Sequence, residues 1–586
     1  MCSIIGYMGK LDAAPLLVES LQRMEYRGYD SVGIATINGD HRILVRKGVG
    51  RVAEVNNKLG LEILRGTVGV GHTRWATHGG VTSANAHPHM SASNEIAIVH
   101  NGIIDNYLEL KNDLIGKGFV FRSETDSEVI ANLLQEGFDQ TRDIKKAIMY
   151  TVSKLKGTYA FIAMFGDGTL AAARFHEPIL IGIDKEGCFI SSDVLGFIEQ
   201  TDDVIYVDDR EFAIIKASNV NLFDFDGAPV QHQIVKVSKE FAGVKKGEYA
   251  HFTLKEIAEQ PIKILRAKEN IRSLDLVARI IKEGKNIYIT GSGTSYNASL
   301  VGQYLFSKYA KIKVEPIIAS EMQFYPHFFD NQSILIALSQ SGESADVLES
   351  VNIARNAKTR IISIVNVMTS SLVHKSDVSV GLNCGPEIGV AATKSFTSQL
   401  AILYKIVDKL CEGRIQLNLN EVAENIFALL CDHRDVQDIA RKLRGVSDIY
   451  VLGRGIHYPI ASEAALKIKE LAYIHAEGLP GGELKHGPLA LMDHDVYVII
   501  INPSDSTYVD TLASAHEIKA RGAKIIGISD VPNDVYDHWI QLPTINDILF
   551  PLIEIIPIQL LAYYAALERH ADPDYPRNLA KCVTVK

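Results

Sequence analysis

Cysteine is scarce in this 586-residue chain. Six occur, at positions 2, 188, 384, 411, 431 and 582, with no CxxC pair and no histidine at zinc spacing. That scatter excludes a disulfide framework and a cysteine-built zinc module, and it fits reduced thiols in the cytoplasm. Positive charge is not in surplus either. Lys and Arg total 60 against 70 Asp and Glu, leaving a formal net charge of −10. Bulk electrostatics therefore disfavour nucleic acid or an anionic membrane as partner. The opening stretch MCSIIGYMGKLDAA has no basic segment followed by a long apolar one, so no secretory signal is read there. One late run, residues 548–567, is mostly apolar over about one bilayer-spanning length. It carries Pro551, Glu554, Pro557 and Gln559, and reads as a buried helix, with no membrane span expected. Histidines 72, 78, 87 and 89 are joined by no acid or thiol cluster, so no metal is expected.

The length implies several domains. Residues 1–240 read as one layered unit, with short buried strands near 68–71, 96–99 and 159–164 and a helix near 126–137. A Gly/Lys interruption at 241–249 marks a linker, placed at 241–255. Beyond it, apolar strand, Gly/Ser loop and helix alternate, which argues for parallel sheets flanked by helices. This part is internally repeated. Residues 287–293 (IYITGSG) match 449–455 (IYVLGRG), 333–338 match 497–501, and 361–364 match 525–528. The offset stays near 162 to 164 residues in all three, so a duplicated domain is expected, at 256–430 and 431–586. The fold class is α/β and α+β multidomain.

Cys2 stands apart by position. A small second residue favours removal of Met1, which exposes an α-amino group of pKa about 8 beside the thiol, able to take its proton. Four further runs cluster polar groups with glycine or at strand ends: EYRGYDSVG (25–33), HTRWATHG (72–79), HNGIIDN (100–106) and SETDSE (123–128). Arg74 offers a planar fork for a carboxylate, Asp126 a partner for an ammonium, and Asn101 with the N–H of Gly102 a pair of donors for an oxyanion. The bland alternative is an Arg74–Asp126 ion pair and a plain Asn-Gly turn. Together these runs resemble the class II, N-terminal-nucleophile glutamine amidotransferase domain, over roughly the first 220 residues. The resemblance implies Cys2 as nucleophile, Arg74 and Asp126 as glutamine clamps, Asn101 and Gly102 as oxyanion hole, and Trp75, Thr77 and His78 in the substrate loop, with Trp75 gating ammonia. The family follows its cysteine with Gly; here Ser3 stands there, adding a Cβ beside the nucleophile.

In the second half, two Ser/Gly loops follow apolar strands: Gly291-Ser292-Gly293-Thr294-Ser295 and Ser339-Gln340-Ser341-Gly342-Glu343-Ser344, the latter leading into a helical stretch at 345–356. Backbone N–H groups and hydroxyls at a helix start cradle phosphate. Neither loop has the GxxxxGK[ST] or GxGxxG spacing, which favours a phosphorylated metabolite over a nucleotide. Serine caps and glycine turns alone would also account for each loop. At the matching loop of the second repeat, Asp505 falls near the place of Gly342 and would repel phosphate, so only the first repeat is expected to bind it. The second repeat carries Glu463, Lys467 and Glu470 at i, i+4, i+7, on one helix face. A solvated ion-pair stripe is the alternative, but much of that helix is apolar. His486 in ELKHGPLALMD can move a proton near neutral pH, and Lys581 in the tail could reach a site as an amine.

These repeats resemble sugar isomerase (SIS) domains over about residues 275–575. An amidotransferase domain followed by two of them is the plan of the glutamine–fructose-6-phosphate aminotransferase (isomerizing) family. That resemblance implies sugar-phosphate contacts at Thr294, Ser295, Ser339, Gln340, Ser341 and Ser344, with Val390 and Ala392 nearby. It implies Glu470 as the C1/C2 proton shuttle assisted by Lys467, His486 as ring opener and Lys581 as the lysine that condenses with the ketose. It further implies L-glutamine and D-fructose 6-phosphate as substrates, a homodimer, and acid–base and covalent chemistry needing no metal or organic cofactor. Ala392 lacks a hydroxyl common in relatives and can offer only backbone. A related amidotransferase or deaminase-like enzyme, and a non-catalytic sugar-phosphate sensor, are the rival readings.

Overall fold

A computed structural model describes residues 2–217, 219–237, 246–415 and 417–583. The chain forms two compact units. The first holds residues up to Val244 together with the last residues from Cys582, and the second runs from Lys245 to Lys581.

The first unit is built on two antiparallel sheets of eight and seven strands. Its opening strand Ser3–Gly9 is apolar on both faces, and strand alternation sorts its side chains. Ile4 and Met8 enter a core with Val99, Ile162, Ala172 and Ile190, drawn from both sheets. Ile5 and Tyr7 face the other way, toward the helix Ala13–Met24, whose Ala13, Leu17, Leu21 and Met24 recur at helical spacing. On the second sheet, Ile96, Ile98 and Ile104 of the strand Ile96–Ile104 pack against Val129, Ile130, Leu133 and Leu134 of the helix Glu128–Thr141. The result is helix, sheet, sheet, helix.

The second unit contains two five-stranded sheets, each wholly parallel. In chain order within each repeat, the strands lie 2-1-3-4-5 in both. The first sheet has Asn286–Gly291 and Ser333–Ser339 adjacent; the second has Asp448–Gly453 and Tyr497–Ile501. Strands buried on both faces need continuous apolar sequence. Ile334, Ile336 and Leu338 enter one core with Val451, Ile499 and Ile501 of the other repeat. Leu335 and Ala337 face the helix Ala345–Asn356, and Val498 and Ile500 face Ala515 and Ile518 of the helix Tyr508–Lys519. In such sheets ligands bind beyond the carboxyl ends of the strands, at the switch between strands 1 and 3. The two Ser/Gly loops lie there. The apolar run near 548–567 forms Phe550–Ile553 and Ile555–Glu568, buried in the shared core. Residues 252–255 of the stretch read as linker belong to the helix Phe252–Ala258. Its residues 241–245 lie outside the described residues.

Candidate active sites

Cys2 sits half-buried at the head of the first strand. Its sulfur accepts the backbone N–H of Trp75 at 3.2 Å, at the end of the strand Val68–Arg74. Burial raises the thiol, and the Trp75 N–H works against that rise. No histidine bonds the sulfur among the described residues. Met1 lies outside those residues. Ser3 is harmless to this geometry. Alternation puts its side chain on the face opposite that of Cys2, where the hydroxyl, fully buried, donates to the Met24 carbonyl at 3.0 Å.

Arg74 is buried but makes no ion pair with Asp126. Its guanidinium donates to the carbonyls of Gly80 at 3.1 Å and Gly79 at 3.2 Å, and to that of His78, so it holds its own loop. Asp30 supports the same loop, accepting from Ala76 N–H at 2.9 Å. Asp126, also buried, accepts the Ile104 N–H at 2.8 Å. Within the loop Trp75 and His78 are half-buried and Thr77 is exposed; His78 meets the Tyr107 ring edge-on at 5.3 Å. Asn101 is buried with no partner for Oδ1. Gly102 has φ of +110°, and a Cβ there would lie 2.0 Å from the Thr158 carbonyl oxygen, so only glycine fits. Tyr26 and Arg27 of the first run serve structure, both bonding Asp193.

Behind Asp126 lies a cluster whose packing sequence gives no sign of. His72, His87, His89 and His100 are all buried. The His72 and His87 rings stack at 4.0 Å, and His89 meets His87 at 4.4 Å. Burial drives His72, His87 and His89 well down and His100 to about 4.

In the second unit the buried helix His457–Ala472 presents Glu463, Lys467 and Glu470 together. Lys467, fully buried, bridges Glu463 at 3.5 Å and Glu470 in closer contact. This helix meets the first repeat's loop directly. Thr294 donates to Glu463 at 3.0 Å and accepts from Lys467 at 3.1 Å, and Asn297 donates to Glu463 at 2.8 Å. Burial lifts Glu463 to about 7 against the pull of Lys467. Ser295 accepts from Gln399 at 2.9 Å. In the other loop Ser339 Oγ accepts the Gly342 N–H at 2.9 Å, and Ser341 Oγ that of Glu343 at 3.1 Å. Gly342 has φ of +72° and touches Ser370 too closely for a side chain. Gln340 is half-buried, and Ser344 stands at the N-cap position of the helix Ala345–Asn356 without a side-chain capping bond.

Lys581 is buried. It donates to Glu387 Oε2 at 2.6 Å and to the Gly389 carbonyl at 2.7 Å. Burial opposes the Glu387 charge, but Lys581 and the N–H groups of Ser395 and Thr393 hold it at about 2. Glu256, buried beside Glu387, is pushed up to about 8, with Lys581 and Lys394 opposing. Val390 and half-buried Ala392 adjoin this segment. No motif marks Glu387, Glu256 or Lys394 in the sequence; Glu387 and Lys394 show only as charges in a mostly uncharged stretch. His486 is exposed at the end of the segment Gly481–His486, and no hydrogen bond or ion pair joins it to the Glu470 group among the described residues.

Two architectures thus share one chain: a sandwich with a cysteine at its head, and a doubled parallel α/β unit with a buried acid–lysine group. A glutamine amidotransferase domain model matches residues 72–197. A SIS domain model matches 280–407 and again 442–569. Curated relatives named glutamine–fructose-6-phosphate aminotransferase (isomerizing) align over their full length and all of this chain. The Pyrococcus horikoshii protein is 42% identical and the Methanothermobacter thermautotrophicus protein 41%. The solved C-terminal domain of glucosamine-fructose-6-phosphate aminotransferase from Francisella tularensis matches with TM-score 0.53 and 35% identity, covering 57% of this chain and all of that one. The chain belongs to the glutamine–fructose-6-phosphate aminotransferase (isomerizing) family.

Proposed function

We infer that this enzyme converts D-fructose 6-phosphate and L-glutamine to D-glucosamine 6-phosphate and L-glutamate, the entry to the hexosamine pathway. The observation that carries the reading is the pairing of a loop-held Cys2 with a buried Thr294–Glu463–Lys467–Glu470 group at the end of a parallel sheet.

Cys2 attacks the side-chain amide of glutamine. With its sulfur bonded only to the backbone of Trp75 among the described residues, the thiol proton passes to the α-amino group left by Met1 removal. Asn101 and Gly102 stabilise the oxyanion, while Arg74 and Asp126 grip the amino-acid ends, with Trp75, Thr77 and His78 lining the loop. Ammonia is delivered internally past Trp75, since protonation in water would end its nucleophilicity.

Fructose 6-phosphate occupies the first repeat, its phosphate on Ser339, Gln340, Ser341 and Ser344 and its sugar near Thr294, Ser295, Val390 and Ala392. Lys581 adds to the open-chain carbonyl, so its ion pair with Glu387 must break as the ketose enters. Ammonia then displaces the lysine at C2, and Glu470, held by Lys467, carries a proton from C1 to C2. His486 opens the ring. Its exposure means that it must either move or serve a second copy, which agrees with a homodimer. We place the glutaminase part at 1–240 and the SIS parts at 256–430 and 431–586. Six free thiols agree with the cytoplasm.

The test is to mix the protein with both substrates and follow glutamate and amino sugar together. Equal yields are expected. Glutamate alone would point to another acceptor, and bound sugar phosphate without either product to a sensor.

A further inference from the structure

The second repeat keeps the backbone of a ligand site and closes it with its own side chains. Gly293 and Gly455 hold the same position in the two repeats, with φ of +53° and +59°. Two residues on, the first repeat has Ser295 and the second His457. His457 is fully buried. Its Nε2 lies 3.1 Å from Asp505 Oδ2, on the loop after the strand Tyr497–Ile501. That contact crosses the switch between strands 1 and 3, where a doubly wound sheet binds its ligand. Asp505 is fixed in turn by the N–H and hydroxyl of Thr507, both at 2.7 Å. From the other side, Nδ1 meets both oxygens of Glu554, at 3.0 and 2.9 Å, where the helices Phe550–Ile553 and Ile555–Glu568 join.

His457 is also the first residue of the helix that carries Glu463, Lys467 and Glu470. A cation at a helix N-terminus has the wrong sign for the helix dipole. Local preference would not put it there; two carboxylates from separate elements do. Burying three charged groups where apolar side chains would pack is not a route to stability, but it fixes one geometry. A helix transmits that geometry along its axis at about 1.5 Å per residue, over about 15 Å to Lys467.

We propose that His457 is a positioning residue for the isomerase half: bridged to Asp505 and Glu554, it sets the register of the helix that carries Lys467 and Glu470 against Thr294. The vacated second site has become the brace of the working one. This rests on the function proposed above. It makes a distinct claim, because His457 touches no substrate.

The experiment compares wild type, His457→Gln and the double variant His457→Leu with Glu554→Met. The double variant replaces the bridge by apolar bulk and guards against a simple folding failure of the first. Steady-state synthesis, binding of fructose 6-phosphate by calorimetry, glutamine hydrolysis and thermal unfolding are measured on each full chain. In both variants kcat for amino-sugar formation should fall about 10- to 100-fold, the loss typical of a displaced catalytic group. Affinity for fructose 6-phosphate should stay within about twofold, since the cradle is in the first repeat, and glutamine hydrolysis should not change. His457→Gln, which keeps a donor, should lose less than the double variant. Unchanged kcat with only a lower unfolding temperature would overturn the proposal. So would a raised KM at full kcat, which would make His457 part of a binding site. Wild type that makes no amino sugar would instead defeat the functional reading itself.

Discussion

Cys2 and Lys581 are single atoms' worth of chemistry, and each has a separable test. Cys2→Ala should abolish glutamine hydrolysis, by at least about 10³-fold as for loss of a covalent nucleophile, while isomerisation of fructose 6-phosphate persists. Simultaneous loss of both in a folded protein would count against two sites. Lys581→Ala should remove synthesis and leave glutamine hydrolysis intact, measured as glutamate release. From sequence, position and family resemblance single out these two residues. The partners that tune them were not. Glu387, which pins Lys581 at 2.6 Å, lies 194 positions away in sequence and has no motif of its own. Arg74 was legible as buried chemistry, but not its use on the carbonyls of residues 78–80, since sequence does not show where a loop folds back.

Elements carry the pH dependence. At the start of the helix His457–Ala472, burial works against a charged His457, but Glu554 and Asp505 outweigh it and raise the folded pKa to about 9. A raised pKa contributes stability that is fully present below the unfolded value of about 6.5 and is lost as pH rises through about 9. The shift corresponds to about 3 kcal/mol. The urea midpoint should therefore fall between pH 7 and 10, and by less in the His457→Leu, Glu554→Met protein. The histidine stack in the first unit has the opposite sign. Its folded pKa values are depressed, to about 4 for His100, so the unfolded chain takes up protons first. Stability present above about pH 6.5 should be lost as pH falls toward 4. A urea midpoint independent of pH between 7 and 5 would contradict the buried, neutral stack. The helical stretches read near 126–137 and 345–356 fold as Glu128–Thr141 and Ala345–Asn356, but sequence periodicity is blind to the histidines. It could not reveal stacked rings, because His72, the His87–His89 pair and His100 come from three separate segments.

At the scale of the whole molecule, duplication was the most legible feature. Three matches at nearly one offset anticipated a duplicated domain, and the two sheets share one strand order, because buried parallel strands leave unbroken apolar runs in sequence. What the second copy does with its switch point was half-legible. From sequence Asp505 was expected to repel phosphate; only the fold shows that His457 bridges Asp505 to Glu554 there. One chain moves the amide nitrogen of glutamine onto a sugar phosphate. The most direct test of this transfer supplies glutamine labelled with ¹⁵N in the side-chain amide, fructose 6-phosphate, and excess unlabelled ammonium, and reads the product by mass spectrometry. Glucosamine 6-phosphate carrying the label is expected, in amount equal to the glutamate formed. Unlabelled amino sugar, or labelled ammonia released with no amino sugar, would contradict it.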